Sequence, residues 1–129
     1  MKGLPAQRFE SLVLLIITVV CFSFCSCGRY ITENGKASYY ANTFEGRKTA
    51  NGETFHQNEL TAAHKKIAFG TLVTVKNKSN GKIVTVRIND RGPFVKGRII
   101  DLTTAAAQQL DMLHDGVVAV QIKYRKRKK

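Results

Sequence analysis

The chain has 129 residues, with 21 Lys and Arg against 9 Asp and Glu for a formal net charge of +12. Hydrophobic residues make up 43% and aromatic residues 9%, too apolar for full disorder and ordinary for a globular chain. That length holds one small domain and excludes a large multidomain enzyme, a polytopic transporter and a collagen-like rod.

Lys2 and Arg8 precede Leu12–Phe24, an apolar run of 13 residues broken only by Thr18 and Ser23. A spanning helix needs ~20 apolar residues. A shorter N-terminal run behind basic residues predicts a secretory signal over residues 1–26, with a retained short membrane anchor as the alternative. Cys21, Cys25 and Cys27 all lie in or just after this run, and no cysteine follows. A disulfide framework and a cysteine-ligated metal site are therefore excluded for the rest of the chain. The segment Phe24-Cys25-Ser26-Cys27-Gly28 resembles a bacterial lipobox. Small Ser26 before Cys27 makes Cys27 a better lipidation site than Cys25, which follows bulky Phe24. Acyl chains contribute ~0.8 kcal/mol per buried methylene, so lipid at Cys27 is expected to hold the domain on a membrane of the cell envelope.

Residues 27–34 are expected to form a short linker, followed by a domain over 35–122 and a basic tail over 123–129. The tail carries six of the 21 basic residues, whereas residues 28–122 hold 13 basic and 8 acidic residues, a net of +5. A run of like charges repels itself and predicts a solvated end. It could also touch phosphate of nucleic acid, lipid or an anionic wall polymer; export argues against nucleic acid.

Within the domain, Asn34-Gly35 is a turn signal and Gly35–Ala41 a short strand. The stretch Thr43–Phe55 reads as a loop with a second turn at Asn51-Gly52, and Leu60–His64 is a brief apolar segment. Leu72–Asn77 and Ile83–Ile88 are β-branched runs separated by Asn80-Gly81, the signature of a hairpin. Arg98–Leu102 is a further strand candidate. Thr103–Met112 has helix propensity, with Thr near its start to cap it. After the Asp115-Gly116 turn, Val117–Ile122 is the last predicted strand. Short strands at this spacing, with one helix, favour a small closed barrel, which leaves no exposed edge.

Few side chains offer chemistry. Asp90 ends the second hairpin strand before Arg91-Gly92-Pro93; the same residues also make good turn chemistry. Glu53 follows Asn51-Gly52, where a lone Glu is ordinarily a solvated residue. His64 follows small Thr61-Ala62-Ala63 and is ordinarily a packing residue. Asp101 precedes Thr103, where it can serve as an acid or help cap the helix. Strand alternation puts one of Tyr39 and Tyr40 inside the barrel and leaves the other to line a groove. Three scattered histidines make a poor metal-ligand set, there is no glycine-rich phosphate loop, and no cofactor is expected.

Five clusters occur in order: Thr49-Ala50-Asn51-Gly52-Glu53, Thr61-Ala62-Ala63-His64, Phe69-Gly70-Thr71-Leu72-Val73, Val86–Phe94 and Gly97–Thr103. Together, from about Gly35 to Ile122, they resemble the rare lipoprotein A family of bacterial septal-ring proteins. That resemblance implies a mostly β fold with one or two short helices, a six-stranded double-psi β-barrel shared with plant expansins. It also implies lytic transglycosylase activity on the glycan strands of peptidoglycan, with divisome or wall-synthesis proteins as candidate partners. Where the family pattern commonly has an acidic residue after the position of Phe55, this chain has His56. Family members often add a C-terminal peptidoglycan-binding repeat, and this sequence carries only the basic run there.

The implied chemistry needs an acid for the leaving glycosidic oxygen. In a lytic transglycosylase the C6 hydroxyl of the sugar attacks the anomeric carbon and closes a 1,6-anhydro ring. One carboxyl group can then act first as acid and later as base. By the resemblance, Asp90, Glu53, His64 and Asp101 are the catalytic candidates, with Tyr39, Tyr40 and Arg91 as substrate-binding candidates. If Asp90 is the acid, the Arg91 guanidinium is expected to point away from it, since a close cation favours the ionised form. The reading from a different class is a non-catalytic wall-binding or wall-loosening module of the expansin kind. A third reading, a lipid or nucleic-acid binder, rests on the basic run.

Overall fold

The computed structural model describes residues 28–127; the expected signal segment and Cys27 lie outside the described residues, as do Lys128 and Lys129. In chain order the elements are β1 (Tyr30–Tyr39), a 3-10 turn (Asn42–Phe44), β2 (Thr61–Ala63), β3 (Leu72–Asn77), β4 (Ile83–Asp90), β5 (Arg98–Leu102), α1 (Thr104–Gln109) and β6 (Val118–Arg125). The six strands close into a barrel in the order β1-β5-β2-β4-β3-β6. The β1–β5 and β2–β4 pairs are parallel and the other four antiparallel. This is the expected closed six-stranded double-psi barrel with one short α-helix.

Alternation builds the interior. Along β3 the inward residues are Val73 and Val75, along β4 Val84, Val86 and Ile88, and along β6 Val118, Val120 and Ile122, all buried. Burying each such side chain contributes ~1.5–3 kcal/mol. Ala106, Ala107, Leu110 and Met112 join the same core from α1 and the turn after it. Thr103 caps this helix, its hydroxyl accepting from Ala106 N at 3.3 Å. Asp101 takes no part in that cap. The helix stops after one and a half turns because Asp111 turns left-handed at φ 52. Met112 N–H then reaches Ala107 O and Asp111 N–H reaches Gln108 O, the pairing that closes a Schellman end.

The hairpin of β3 and β4 forms as expected, with Leu72 opposite Arg87 and Gly81 at φ 76 in the turn. Two boundaries differ from the sequence reading. The expected linker 27–34 is strand from Tyr30 onward, paired with β6. The expected tail 123–129 starts inside β6, with Lys123, Tyr124 and Arg125 opposite Thr32, Ile31 and Tyr30. The reason is alternation: Lys123 and Arg125 point outward while half-buried Tyr124 lies between them, so the charge run is partly the wet face of a strand. Every residue of the hydrophobic core lies between Ala37 and Ile122, and the barrel closes within residues 30–125.

Candidate active site

The C-terminal end of β4 organises the site. Ile88 points into the core, while half-buried Arg87, buried Asn89 and half-buried Asp90 meet the long loop between β1 and β2. Glu53 is the fastener of that loop. Its Oε1 accepts from Arg87 Nη1 at 2.6 Å, and its Oε2 accepts from Arg87 Nη2 at 3.0 Å and Asn89 Nδ2 at 3.2 Å. The bidentate guanidinium, with the amides of Asn89 and Asn51, holds the Glu53 carboxyl down to about 2. Glu53 is thus a carboxylate that secures a turn, and its proton is not available near neutral pH.

The turn it secures is Thr49-Ala50-Asn51-Gly52-Glu53. Thr49 N–H donates to Glu53 O at 2.8 Å, Gly52 N–H to Thr49 O at 3.0 Å, and Gly52 sits at φ 88, which favours glycine. Asn51 Oδ1 accepts from Thr49 Oγ1 at 2.6 Å and Glu53 N at 3.1 Å. The result is to aim Ala50 N–H at Asp90, at 2.9 Å from Oδ1. Arg91 N–H donates to the same oxygen at 2.9 Å. Oδ2 accepts from Tyr40 Oη at 2.5 Å.

Tyr40 is packed between rings, with centroids 4.6 Å from Phe55 and 5.3 Å from Phe44. Burial, its hydrogen bond to Asp90 and the charges of Asp90 and Asp101 push its phenol well above the usual range. It therefore remains a hydrogen-bond donor to Asp90 throughout the physiological range. Tyr39, the neighbour in sequence, packs partly against the core and donates to Leu113 O at 2.8 Å.

Asp101 lies on β5, and the register draws it to Asp90. Ala63 of β2 is the partner of Asp90 on one side and of Asp101 on the other, so the two acids flank one small residue on a three-strand platform. Asp101 accepts from Ser38 Oγ and is ion-paired with Arg98 Nη2 at 3.4 Å. It thus has a cationic partner, whereas the donors on Asp90 are neutral.

His64 and Arg91 are near in chain but turned elsewhere. His64 Nδ1 accepts from Lys66 N at 3.0 Å and Ile67 N at 3.1 Å, which leaves Nε2 to carry the proton and donate to Glu33 at 3.2 Å. Burial lowers the pKa of His64, overcoming the opposing pull of Glu33. Only its backbone meets Asp90, through His64 N–H to Asp90 O at 3.2 Å. The Arg91 guanidinium points into the 64–69 loop, donating to Ile67 O at 2.8 Å and His64 O at 3.2 Å and stacking 3.8 Å from the Phe69 ring centroid. It braces that loop. His56, at the position where family members commonly have an acid, binds Glu45 Oε1 at 2.8 Å.

Sequence reasoning missed Arg87, Asn89, Ala50 N–H, Ser38 and Arg98. Arg87, Asn89, Ala50 and Arg98 all stand within the five sequence clusters, and Asn89 directly precedes Asp90. Their partners do not follow from the clusters, because Arg87, Asn89, Ala50 and Ser38 act across 34 to 63 residues of chain, and Arg98 reads as an ordinary strand cation. Among the described residues no three metal-ligating side chains converge.

The lytic transglycolase family matches residues 32–122. A relative named endolytic peptidoglycan transglycosylase RlpA, from Campylobacter jejuni, is 53% identical over 91 residues, covering 70% of this chain and 33% of its own length. The chain spans about a third of the length of the curated relatives it matches. Among solved structures, the Streptomyces papain inhibitor superposes with a TM-score of 0.61 at 24% identity, covering 74% of this chain and 96% of its own. An expansin from Clavibacter michiganensis does so with a TM-score of 0.59 at 19% identity, covering 77% of this chain and 52% of its own. These two show the shared fold alone. Fold, motif order and a match across nearly the whole described barrel agree, and the chain belongs to the lytic transglycolase family, with the double-psi barrel of its rare lipoprotein A members.

Proposed function

We propose that the barrel cleaves the glycan strands of peptidoglycan as an endolytic lytic transglycosylase, with Asp90 as its acid and base. The observation that carries this reading is the environment of the Asp90 carboxyl group. A carboxylate has about four acceptor positions. Among the described residues, two on Oδ1 are filled by backbone N–H groups and one on Oδ2 by Tyr40. The remaining position on Oδ2 can present a proton to a glycosidic oxygen.

When that proton leaves, negative charge develops on Asp90 where three fixed neutral donors already point. Such preorganised donors lower the barrier without rearrangement. The same carboxylate then takes the proton of the C6 hydroxyl as the anhydro ring closes, so no external water is consumed. Asp101, held by Ser38 and Arg98 across Ala63, supplies a fixed negative charge for an oxocarbenium-like sugar. Glu53 acts through the Ala50 turn, and Arg91 and His64 through the 64–69 loop; these three are positioning residues. Tyr39 is the remaining substrate-binding candidate along the same strand end.

Export, lipid attachment at Cys27 and recruitment by divisome or wall-synthesis proteins belong to the same reading. The layout of residues 1–28 supports the first two, and the mature N-terminus in the membrane fraction, read by mass spectrometry, tests them.

The catalytic test uses residues 28–129, which contain the whole barrel, incubated with purified glycan strands. Products with 1,6-anhydromuramoyl ends are expected, and Asp90→Asn should reduce their release by at least about 100-fold with an unchanged melting temperature. Strand binding without anhydro product would instead favour the expansin-like binding module. Full activity in Asp90→Asn would transfer the acid role, with Asp101→Asn the next variant.

A further inference from the structure

Where β1 begins and β6 ends, the barrel carries a second feature that the Asp90 site does not use. A cavity of about 160 Å³ opens between the 66–71 loop and the end of β6, with Lys66, Arg125, Lys126 and Arg127 among its lining. No Asp or Glu lines it. Glu33 lies beneath Tyr124, but its carboxylate is committed to Tyr124 Oη at 2.7 Å and His64 Nε2 at 3.2 Å.

Beside these cations stands an exposed apolar row. Tyr30, 60% exposed, pairs with Arg125. Val73 pairs with Tyr124, and Leu72, 63% exposed, is the residue before it in β3. Residues opposite one another on neighbouring strands share a face. Tyr30 therefore lies beside Arg125, with Leu72 exposed at the same end of β3, and Lys123 Nζ lies 4.9 Å from the Tyr30 ring centroid.

We propose that this end of the barrel docks on an anionic membrane surface, with phospholipid phosphates at the basic cavity and Tyr30 and Leu72 at the interface. Two observations select a membrane over an anionic wall polymer. Aromatic and aliphatic side chains among snorkelling cations suit a headgroup boundary, whereas a hydrated polymer gives Leu72 no partner. The chain also leads from this end toward the apolar run. Lys126 N–H donates to Arg29 O at 2.9 Å, tying the start of β1 to the cavity strand. Arg29 stands only five residues after Phe24, a reach of about 18 Å at full extension. A segment or lipid embedded at Phe24 to Cys27 would hold the cavity within headgroup reach.

The experiment sediments residues 28–129 with vesicles of phosphatidylcholine alone and with 30% phosphatidylglycerol, and in parallel with purified sacculi. Lacking residues 1–27, this protein can bind only through the barrel and its basic end. The expected result is retention by the anionic vesicles, release when salt is raised to 0.5 M, and at least tenfold weaker binding by Lys66→Gln/Lys126→Gln/Arg127→Gln. Leu72→Ser should weaken it several-fold and leave the salt dependence in place. These side chains are exposed, and the salt titration on the unaltered protein gives the answer even if a variant melts early. Equal binding to neutral vesicles, salt-insensitive binding, retention by sacculi but not vesicles, or binding to none would each overturn the proposal. Anhydro-product formation on free glycan strands is scored separately, so loss of vesicle binding and loss of the catalytic reading are distinguishable.

Discussion

Tyr40 and Glu53 show how two side chains of ordinary chemistry come to serve one carboxylate. Tyr40 offers Asp90 an O–H that burial keeps protonated. Tyr40→Phe keeps the ring between Phe44 and Phe55 and deletes only that donor. The expected outcome is a fall in kcat of about 100- to 1,000-fold, as for loss of one preorganised donor, with little change in KM, measured by anhydro-product release. Glu53 gives a pH test. Its folded value of about 2 lies below its ordinary 4.5, so the unfolded chain takes up the proton first as pH falls. The stabilisation is fully present above 4.5 and is lost as pH falls from 4.5 to about 2. Melting temperatures of the parent and Glu53→Gln should therefore be separated at pH 6 and converge toward pH 2. The pair is more than a third exposed on each side, so solvent screening keeps that separation modest. Asp90 stands out in the sequence through the family resemblance, since a strand end before Arg-Gly-Pro taken alone is equally good turn chemistry. Its partners do not stand out, since Tyr40 and Ala50 reach it across 50 and 40 residues.

Strands and turns were more legible than the contacts between them. The β3–β4 hairpin was written in β-branched runs about Asn80-Gly81, and the start of α1 in Thr103. The same hairpin also holds the helix, which no local pattern announced. Asn77 Nδ2 and Asn80 Nδ2 both donate to Leu110 O at 3.0 Å, and Asn77 Oδ1 accepts from Ser79 N at 3.0 Å. Asn77 is 1% exposed, so truncating it removes two hydrogen bonds and leaves a void at a buried position, although Leu110 O keeps the Asn80 donor and the exposed Ser79 N–H can turn to water. Asn77→Ala should cost about 2 kcal/mol and lower Tm by roughly 10 °C, with kcat per folded molecule unchanged, as checked by calorimetry and product release. The His64 side chain carries the opposite lesson. The family resemblance makes it a catalytic candidate, but just after β2 its ring turns toward Glu33 and the 66–67 amides. Family motif order located this residue without saying which way it faced.

A net charge of +12 describes the chain poorly until the barrel is closed. The basic run after Ile122 looked like a tail because like charges in series signal a solvated end. Lys123, Tyr124 and Arg125 instead complete the seam between β1 and β3. They are opposite Thr32, Ile31 and Tyr30 on one side, and Lys123 and Tyr124 are opposite Thr74 and Val73 on the other. Truncation after Ile122 would remove these five cross-strand pairs and the Tyr124 hydrogen bond to Glu33, leaving the start of β1 and the start of β3 without partners on that side. At ~0.2–1 kcal/mol per pair, with the ring burial added, the loss is on the order of 3–5 kcal/mol, a large part of a small domain's stability. Truncation after Lys126 removes three further cations but no strand residue, and keeps the bond from Lys126 N–H to Arg29 O. The second protein should melt within about 1–2 °C of the parent, as surface changes do, and the first should melt early or without a cooperative transition. Were the two to melt alike, closure through residues 123–125 would contribute nothing, and the run would be a tail after all. If they differ as expected, the positive charge divides into outward strand residues fixed by the fold and a short basic end that closure of the barrel does not need.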